Sequence, residues 1–267
     1  MKLTVLLSAM HLQDEKYIDT LNVESDAVVI NQCDSVINKS VIHACRSGKK
    51  VNVKYVETTE RGLSKSRNMA IRTADANDAD DVCILCDNDV EYVNGYEQII
   101  LKAYENHPDA DVVVFFIKRP ERSVPVFSSD KRMNYLSVLK IFSPEISFKA
   151  ANIKGISFNE QFGAGAKYFM GEENIFLYDC LKAHKKVYYV PSMIAKVRDE
   201  ESTWFKGYTK EFFISRGANY AAMSKIFSHV LIWQFALRKT NLYIDNFSVL
   251  SAVRIMYQGR REYLDSK

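Results

Sequence analysis

Two carboxylates one residue apart close an apolar run: residues 82–90 read VCILCDNDV, with Asp87, Asn88 and Asp89 at the polar end. The apolar part is short and partly β-branched, the composition of a parallel strand covered on both faces. Ligands of open α/β sheets gather beyond the carboxyl ends of such strands, which is where Asp87 and Asp89 would stand. Two hard oxygen donors at that spacing suit a divalent cation that keeps several waters and bridges a diphosphate. The same three residues also suit a plain strand-to-turn junction, because Asp and Asn are turn formers. A second acidic pair, Glu172-Glu173, heads a helical pattern carrying Ile175, Phe176, Leu177 and Cys180. Acidic groups in a first turn favour the helix dipole, which alone accounts for them structurally.

Other reactive residue types organise less well. Cys83 and Cys86 form a CxxC, but it lies inside the apolar run, and strand alternation sends the two side chains to opposite faces. With no second CxxC or histidine pair nearby, a structural role is expected. The five histidines, His11, His43, His107, His184 and His229, form no ligand cluster by spacing.

The elements that must position these residues alternate in type. Residues 3–7 are an apolar first strand, left by a loop at 8–13. Residues 26–31 (DAVVIN) are a second strand ending in a turn with Asp34, and 51–56 (VNVKYV) a third. Between the latter two, Val36, Ile37, Val41, Ile42 and Cys45 followed by Gly48 predict a helix with its stop, hence a right-handed crossover and a parallel sheet. The stretch 62–70 (GLSKSRNMA) opens another helix, with Ser64 or Ser66 as the expected cap. Residues 96–105 read as helix, 110–117 as a buried strand, 187–190 as a short strand, and the polar segment 128–134 as a loop.

Composition narrows the function classes. With 267 residues, 47% hydrophobic and 26% charged, the chain is an ordinary globular protein, and a net charge of +3 gives no case for nucleic acid. An odd set of five cysteines spread through predicted elements argues for reduced thiols and a cytoplasmic setting. The first ten residues lack the apolar core of an export signal, and no apolar run reaches spanning length. From 215 to 267 the composition shifts. Residues 221–237 are rich in apolar side chains and flanked by Lys225, Arg238 and Lys239, which suits either a helix lying in a membrane interface or one covering a core or dimer contact.

The order of four features, the Asp34 turn, GLSKSRNMAI, CDNDV and FGAGAKYFMGEENIFLYD followed by STWFKGY, resembles the family-2 glycosyltransferases of the GT-A fold. The resemblance runs from about residue 3 to 207 and is closest to bacterial enzymes that build capsular or other surface polysaccharides. It implies an α/β GT-A domain over 1–214, with a mostly parallel sheet flanked by helices, and a helical basic and aromatic extension over 215–267. It implies an inverting transferase using a nucleotide sugar, usually a UDP-sugar, and a glycan or lipid-linked oligosaccharide acceptor.

Residue by residue, it assigns nucleotide contacts to Ser8, Met10, Asp34, Lys65, Arg67 and Asn68, and places Asp87, Asn88 and Asp89 on the family's DxD. There Asp87 meets ribose, and Asp89 coordinates Mn²⁺ or Mg²⁺ bound to the diphosphate. It assigns Glu173 as base and Glu172 as the group that holds a sugar, with Gly163, Gly165 and Trp204 lining the acceptor side. Two departures stand out. The first loop reads Ser-Ala-Met-His where relatives carry Pro-Thr-Tyr-Asn. Where many relatives place a metal-binding histidine, this chain has VRDEE, leaving Asp199 as an oxygen ligand or Arg198 as a fixed cation.

Two other activities compete. A sugar nucleotidyltransferase would share the scaffold, but it needs a glycine- and cation-rich loop after the first strand, and 8–13 has neither. A non-catalytic nucleotide-sugar or glycan-binding relative would account for the missing histidine. The basic C-terminal extension suggests a peripheral contact at the inner face of the plasma membrane, or a homodimer.

Overall fold

The computed structural model describes residues 1–14, 16–74, 79–198, 205 and 207–266. The chain divides into two compact units: Met1–Arg61, Lys65–Phe158 and Leu177–Glu200 form the first, and Gly62–Ser64, Asn159–Phe176 and Glu201–Lys267 the second.

The first unit is built on one sheet. Its strands are β1 (Leu3–Met10), β2 (Asp26–Gln32), β3 (Ile37–Ala44), β4 (Lys50–Thr58), β5 (Val82–Asp87), β6 (Val90–Tyr92), β7 (Val112–Lys118), β8 (Lys131–Arg132), β9 (Ile146–Lys149) and β10 (Val187–Val197). The order across the sheet is β3-β4-β2-β1-β5-β9-β7-β10-β6, with β8 pairing to β10. The predicted parallel core is there: β4, β2, β1 and β5 run side by side in parallel, and so do β7 and β10. β1, β2, β5 and β7 are almost wholly buried because helices cover both faces of such a sheet, which explains their unbroken apolar runs.

Two expectations are corrected here. The segment predicted as a helix between β2 and β4 is the edge strand β3, antiparallel to β4. Its exposure alternates residue by residue, and β-branched Ile37, Val41 and Ile42 are at home on such a half-buried pleat. Within the mostly parallel sheet, β9 inserts antiparallel to both neighbours between β5 and β7. Finally, the segment 128–134 contributes β8 instead of remaining wholly loop.

Flanking elements are α1 (Tyr17–Thr20), α2 (Leu63–Thr73), α3 (Tyr96–Asn106) and α4 (Glu172–Lys182), of which α2 and α4 each contribute residues to both units. The irregular stretch before β9 is pinned by Glu145, which is fully buried. It pairs with Arg122 and accepts a 2.8 Å hydrogen bond from the Phe142 backbone N–H. Burial and the neighbouring Arg119 bring the Arg122 guanidinium down to about 10.

The second unit holds α5 (Lys210–Met223), α6 (Ser228–Arg238) and α7 (Val249–Asp265). The apolar 221–237 stretch is therefore two helices, broken at Ser224 after the end of α5. Two glycines let α5 and α7 cross backbone to backbone: a Cβ on Gly217 would sit 1.8 Å from the Met256 carbonyl oxygen, and one on Gly259 2.0 Å from that of Ile214. Arg216 of α5 lies over the rings of Phe212, Tyr220 and Phe235, tying α5 to α6 through its planar cation. No helix among the described residues is long and apolar enough to cross a membrane.

Candidate functional site

In the first unit the predicted residues gather where β1 and β5 end. Ser8 and Asp87 are register partners across these strands. Ser8 therefore belongs to β1 and not to the loop after it, since β1 runs on to Met10, which is about half exposed. Ser66 donates to Ser8 through a 2.8 Å Oγ–Oγ bond. Ser64 and Ser66 are thus not caps: both lie inside α2, and the Ser64 hydroxyl donates to the Phe162 carbonyl at 2.7 Å within the second unit.

Arg67 is the most deeply buried cation of the site, 1% exposed. Its Nη2 donates to Asp87 Oδ1 at 2.9 Å and Oδ2 at 3.3 Å, and its guanidinium lies 5.5 Å from the Phe158 ring centre. The pair sets a buried cation at the carboxyl end of β5, where each ion meets its opposite at hydrogen-bond distance. Asn68, one residue on, braces the neighbouring chain: its Nδ2 donates to the Phe158 carbonyl at 2.9 Å and its Oδ1 accepts from the Phe158 N–H at 2.8 Å. Lys65 reaches Glu60, Nζ to Oε2, at 3.7 Å.

Asn88 and Asp89 form the turn between β5 and β6, and three groups hold its backbone. The Asn88 carbonyl accepts from the Tyr17 hydroxyl at 2.8 Å and from Arg198 Nη2 at 2.6 Å, while the Arg198 N–H donates to the Asp89 carbonyl at 2.8 Å. Arg198 also donates to the Tyr17 hydroxyl and stacks over its ring. Arg198, one of the two residues that the VRDEE segment offered, thus stands beside the Asp-Asn-Asp turn. Asp199 and Trp204 lie outside the described residues.

At the end of β2, the Asp34 carboxylate is 88% exposed and held by Arg61 Nη2 at 2.7 Å. Arg61 Nη1 donates to the carbonyls of Cys33, Thr58 and Glu60. Sequence reasoning missed Arg61 and Tyr17. Arg61 did carry a signal, a cation directly before GLSKSRN; Tyr17 carried none, because its partners are 71 and 181 residues away.

A metal needs donors. Among the described residues no group of three His, Cys, Asp or Glu side chains gathers as a cage. The donor set at the turn is two carboxylates, one of which already binds Arg67. Carboxylate oxygens are the donor type that a hard divalent cation takes, and Asp87 and Asp89 are the described residues that would supply them. Both thiols of the CxxC are buried, which pushes Cys83 up to about 12 and Cys86 higher still, as expected of a structural role.

The second unit carries the other predicted residues. Gly163 has φ 101°, and a Cβ there would meet the Glu172 carboxyl carbon at 3.2 Å and Ser64 Oγ at 3.3 Å. The close approach that requires this glycine is therefore to Glu172, which is itself buried. Gly165, with φ 77°, packs against Gly62, and the Leu63 N–H donates to the Ala164 carbonyl at 2.9 Å. Glu172 and Glu173 occupy the first turn of α4, Glu173 being the more accessible. Gly171 before them is fixed by Asn219, whose Nδ2 donates to its carbonyl at 2.7 Å.

A sequence model described as glycosyl transferase family 2 matches residues 27–165, just over half of the chain. No curated protein matches the sequence significantly. Among solved structures, S. aureus TarS 1-349 aligns with a TM-score of 0.59 at 16% identity, over 99% of this chain and 88% of that one. The same protein in complex with UDP-GlcNAc aligns with a TM-score of 0.60 at 15% identity, over 99% and 89%. A further crystal structure of S. aureus TarS aligns at 0.56 and 16% identity, over 93% of this chain and 44% of that one. At this identity the likeness speaks for the fold, a mixed α/β sheet flanked by helices of GT-A type.

Proposed function

The chain belongs to glycosyl transferase family 2, and from that premise we propose that it moves a sugar from a UDP-sugar to a glycan or lipid-linked oligosaccharide, with inversion, in surface polysaccharide synthesis at the inner face of the plasma membrane. The observation that carries the donor half is the pair of buried Arg67 with Asp87 beside the Asn88-Asp89 turn, where β1 and β5 end. Binding of UDP-GlcNAc by a structure of the same fold supports the choice of nucleotide.

Ser8, Met10 and Asp34 face the nucleoside, with Arg61 fixing the Asp34 carboxylate. Asp87, oriented by Arg67, receives the ribose hydroxyls, while Lys65 and Arg198 supply cationic charge toward the phosphates and Asn68 holds the Phe158 segment. A bound Mn²⁺ or Mg²⁺ supplies neutralisation of the charge that grows on the departing diphosphate, with Asp89, Asp87 and Asp199 as the residues to hold it. Glu173 takes the proton from the acceptor hydroxyl, whose oxygen bonds to the anomeric carbon from the face opposite the breaking C1–O(phosphate) bond, and UDP leaves. Glu172, Gly163, Gly165 and Trp204 hold the sugar being attacked or the one attacking.

Asp89→Asn tests the donor half. Calorimetric titration with UDP should show affinity that rises with Mn²⁺ in the native protein and loses at least about tenfold of that gain in the variant, the scale on which metal-site substitutions act. Equal UDP affinities with and without Mn²⁺ in both proteins would remove the metal from this reading. UDP release dependent on an added acceptor separates a transferase from a binding module.

A further inference from the structure

The outward face of α6 is apolar and exposed. Val230, Trp233 and Leu237 are 55%, 41% and 63% exposed, and Ile226, on the turn before the helix, is 86% exposed. At 100° per residue the three helical positions fall within an arc of about 60°. The opposite face carries Ser228, Leu231, Ile232 and Ala236, all buried, so the helix already has a filled inner side and the outer stripe is not a misplaced core. Thr240 and Tyr243, whose hydroxyls both donate to the Ala236 carbonyl, tie the end of the helix down.

Within the segment that carries this stripe the charge has one sign. From 224 to 244 there is no Asp or Glu, whereas Lys225, Arg238 and Lys239 are exposed at the two ends of the helix. A stable contact with a second copy of this chain would bring that uncompensated positive charge against itself. A sheet of anionic headgroups would pair with it while the apolar stripe enters the acyl boundary. Tryptophan in the stripe is the residue that favours such an interface, with an apolar ring and one polar edge.

We propose that α6 is a membrane-docking helix, lying along an anionic bilayer surface with Ile226, Val230, Trp233 and Leu237 inserted and Lys225, Arg238 and Lys239 on the headgroups. This is independent of the sugar-transfer reading, because binding to lipid is read without donor or acceptor.

Flotation of the full-length protein with vesicles of phosphatidylglycerol and phosphatidylcholine, and with phosphatidylcholine alone, tests it. The native protein is expected to float with the anionic vesicles, less with neutral ones, and less at high salt. Trp233→Glu combined with Leu237→Glu is expected to lower the bound fraction at least about tenfold, while Ile42→Glu, at an apolar residue exposed on the edge strand β3, leaves it unchanged. Circular dichroism and the melting temperature establish that each variant is folded. If the native protein stays with the unbound fraction, or the double variant floats as the native protein does, docking by α6 is refuted. If instead the double substitution turns a dimer into a monomer with no vesicle binding in either, the stripe is a subunit contact and the lipid assignment falls.

Discussion

Glu173→Gln is expected to lower turnover about 10²–10⁴-fold, the usual contribution of a positioned general base. UDP affinity should stay at the native value. The substitution keeps the shape of the side chain and its place in the first turn of α4 and removes only the capacity to accept the acceptor's proton. Glu172→Gln, at a buried residue in van der Waals range of where a Cβ on Gly163 would stand, should act on stability and acceptor binding more than on the chemical step. The measurement is UDP release at saturating donor and acceptor beside a UDP titration. Native-like turnover in Glu173→Gln would take this residue out of the reaction.

Arg67→Met is the second large effect. It leaves the Asp87 carboxylate at the end of β5 without its guanidinium, and breaking a largely buried ion pair from one side costs about 3 kcal/mol or more. Arg67→Lys should recover little, because an ammonium cannot reach both Asp87 oxygens from within the helix while lying flat against Phe158. The double variant Arg67→Met/Asp87→Leu distinguishes support from function. Removing both charges should return most of the stability measured by urea unfolding, yet UDP binding should remain lost. If UDP binds the double variant as tightly as the native protein, the pair is only a structural brace.

How far the fold could be read depended on where each strand finds its partner. β1, β2, β5 and β7 are legible because burial on both faces turns them into apolar runs that few other elements mimic. β3 was not: Ile37, Val41 and Ile42 sit at spacings compatible with one face of a helix, and only the antiparallel pairing to β4 reveals the alternation as a pleat. β9 is four residues long, and its neighbours β5 and β7 lie far upstream, so no local pattern announces it. The site shows the same division. Asp87 and Asp89 end a strand that could be seen, and Arg67 stands in a stretch with a readable helix start. Arg61 and Arg198 could be noticed as cations beside motifs, but their contacts, like those of Tyr17, bridge 27 to 181 residues, which composition and periodicity do not encode.

The insertion of β9 beside β5 also dictates a timetable during synthesis. When residue 87 has emerged from the ribosome, β1, β2 and β4 can already be stacked against β5, but the strand that occupies its other side ends at Lys149, 62 residues later. At translation speeds of about 5–20 residues per second, that flank stays unpaired for roughly 3–12 s. For that interval the nascent chain displays the backbone donors and acceptors of an apolar strand, the kind of template that recruits another chain or a chaperone.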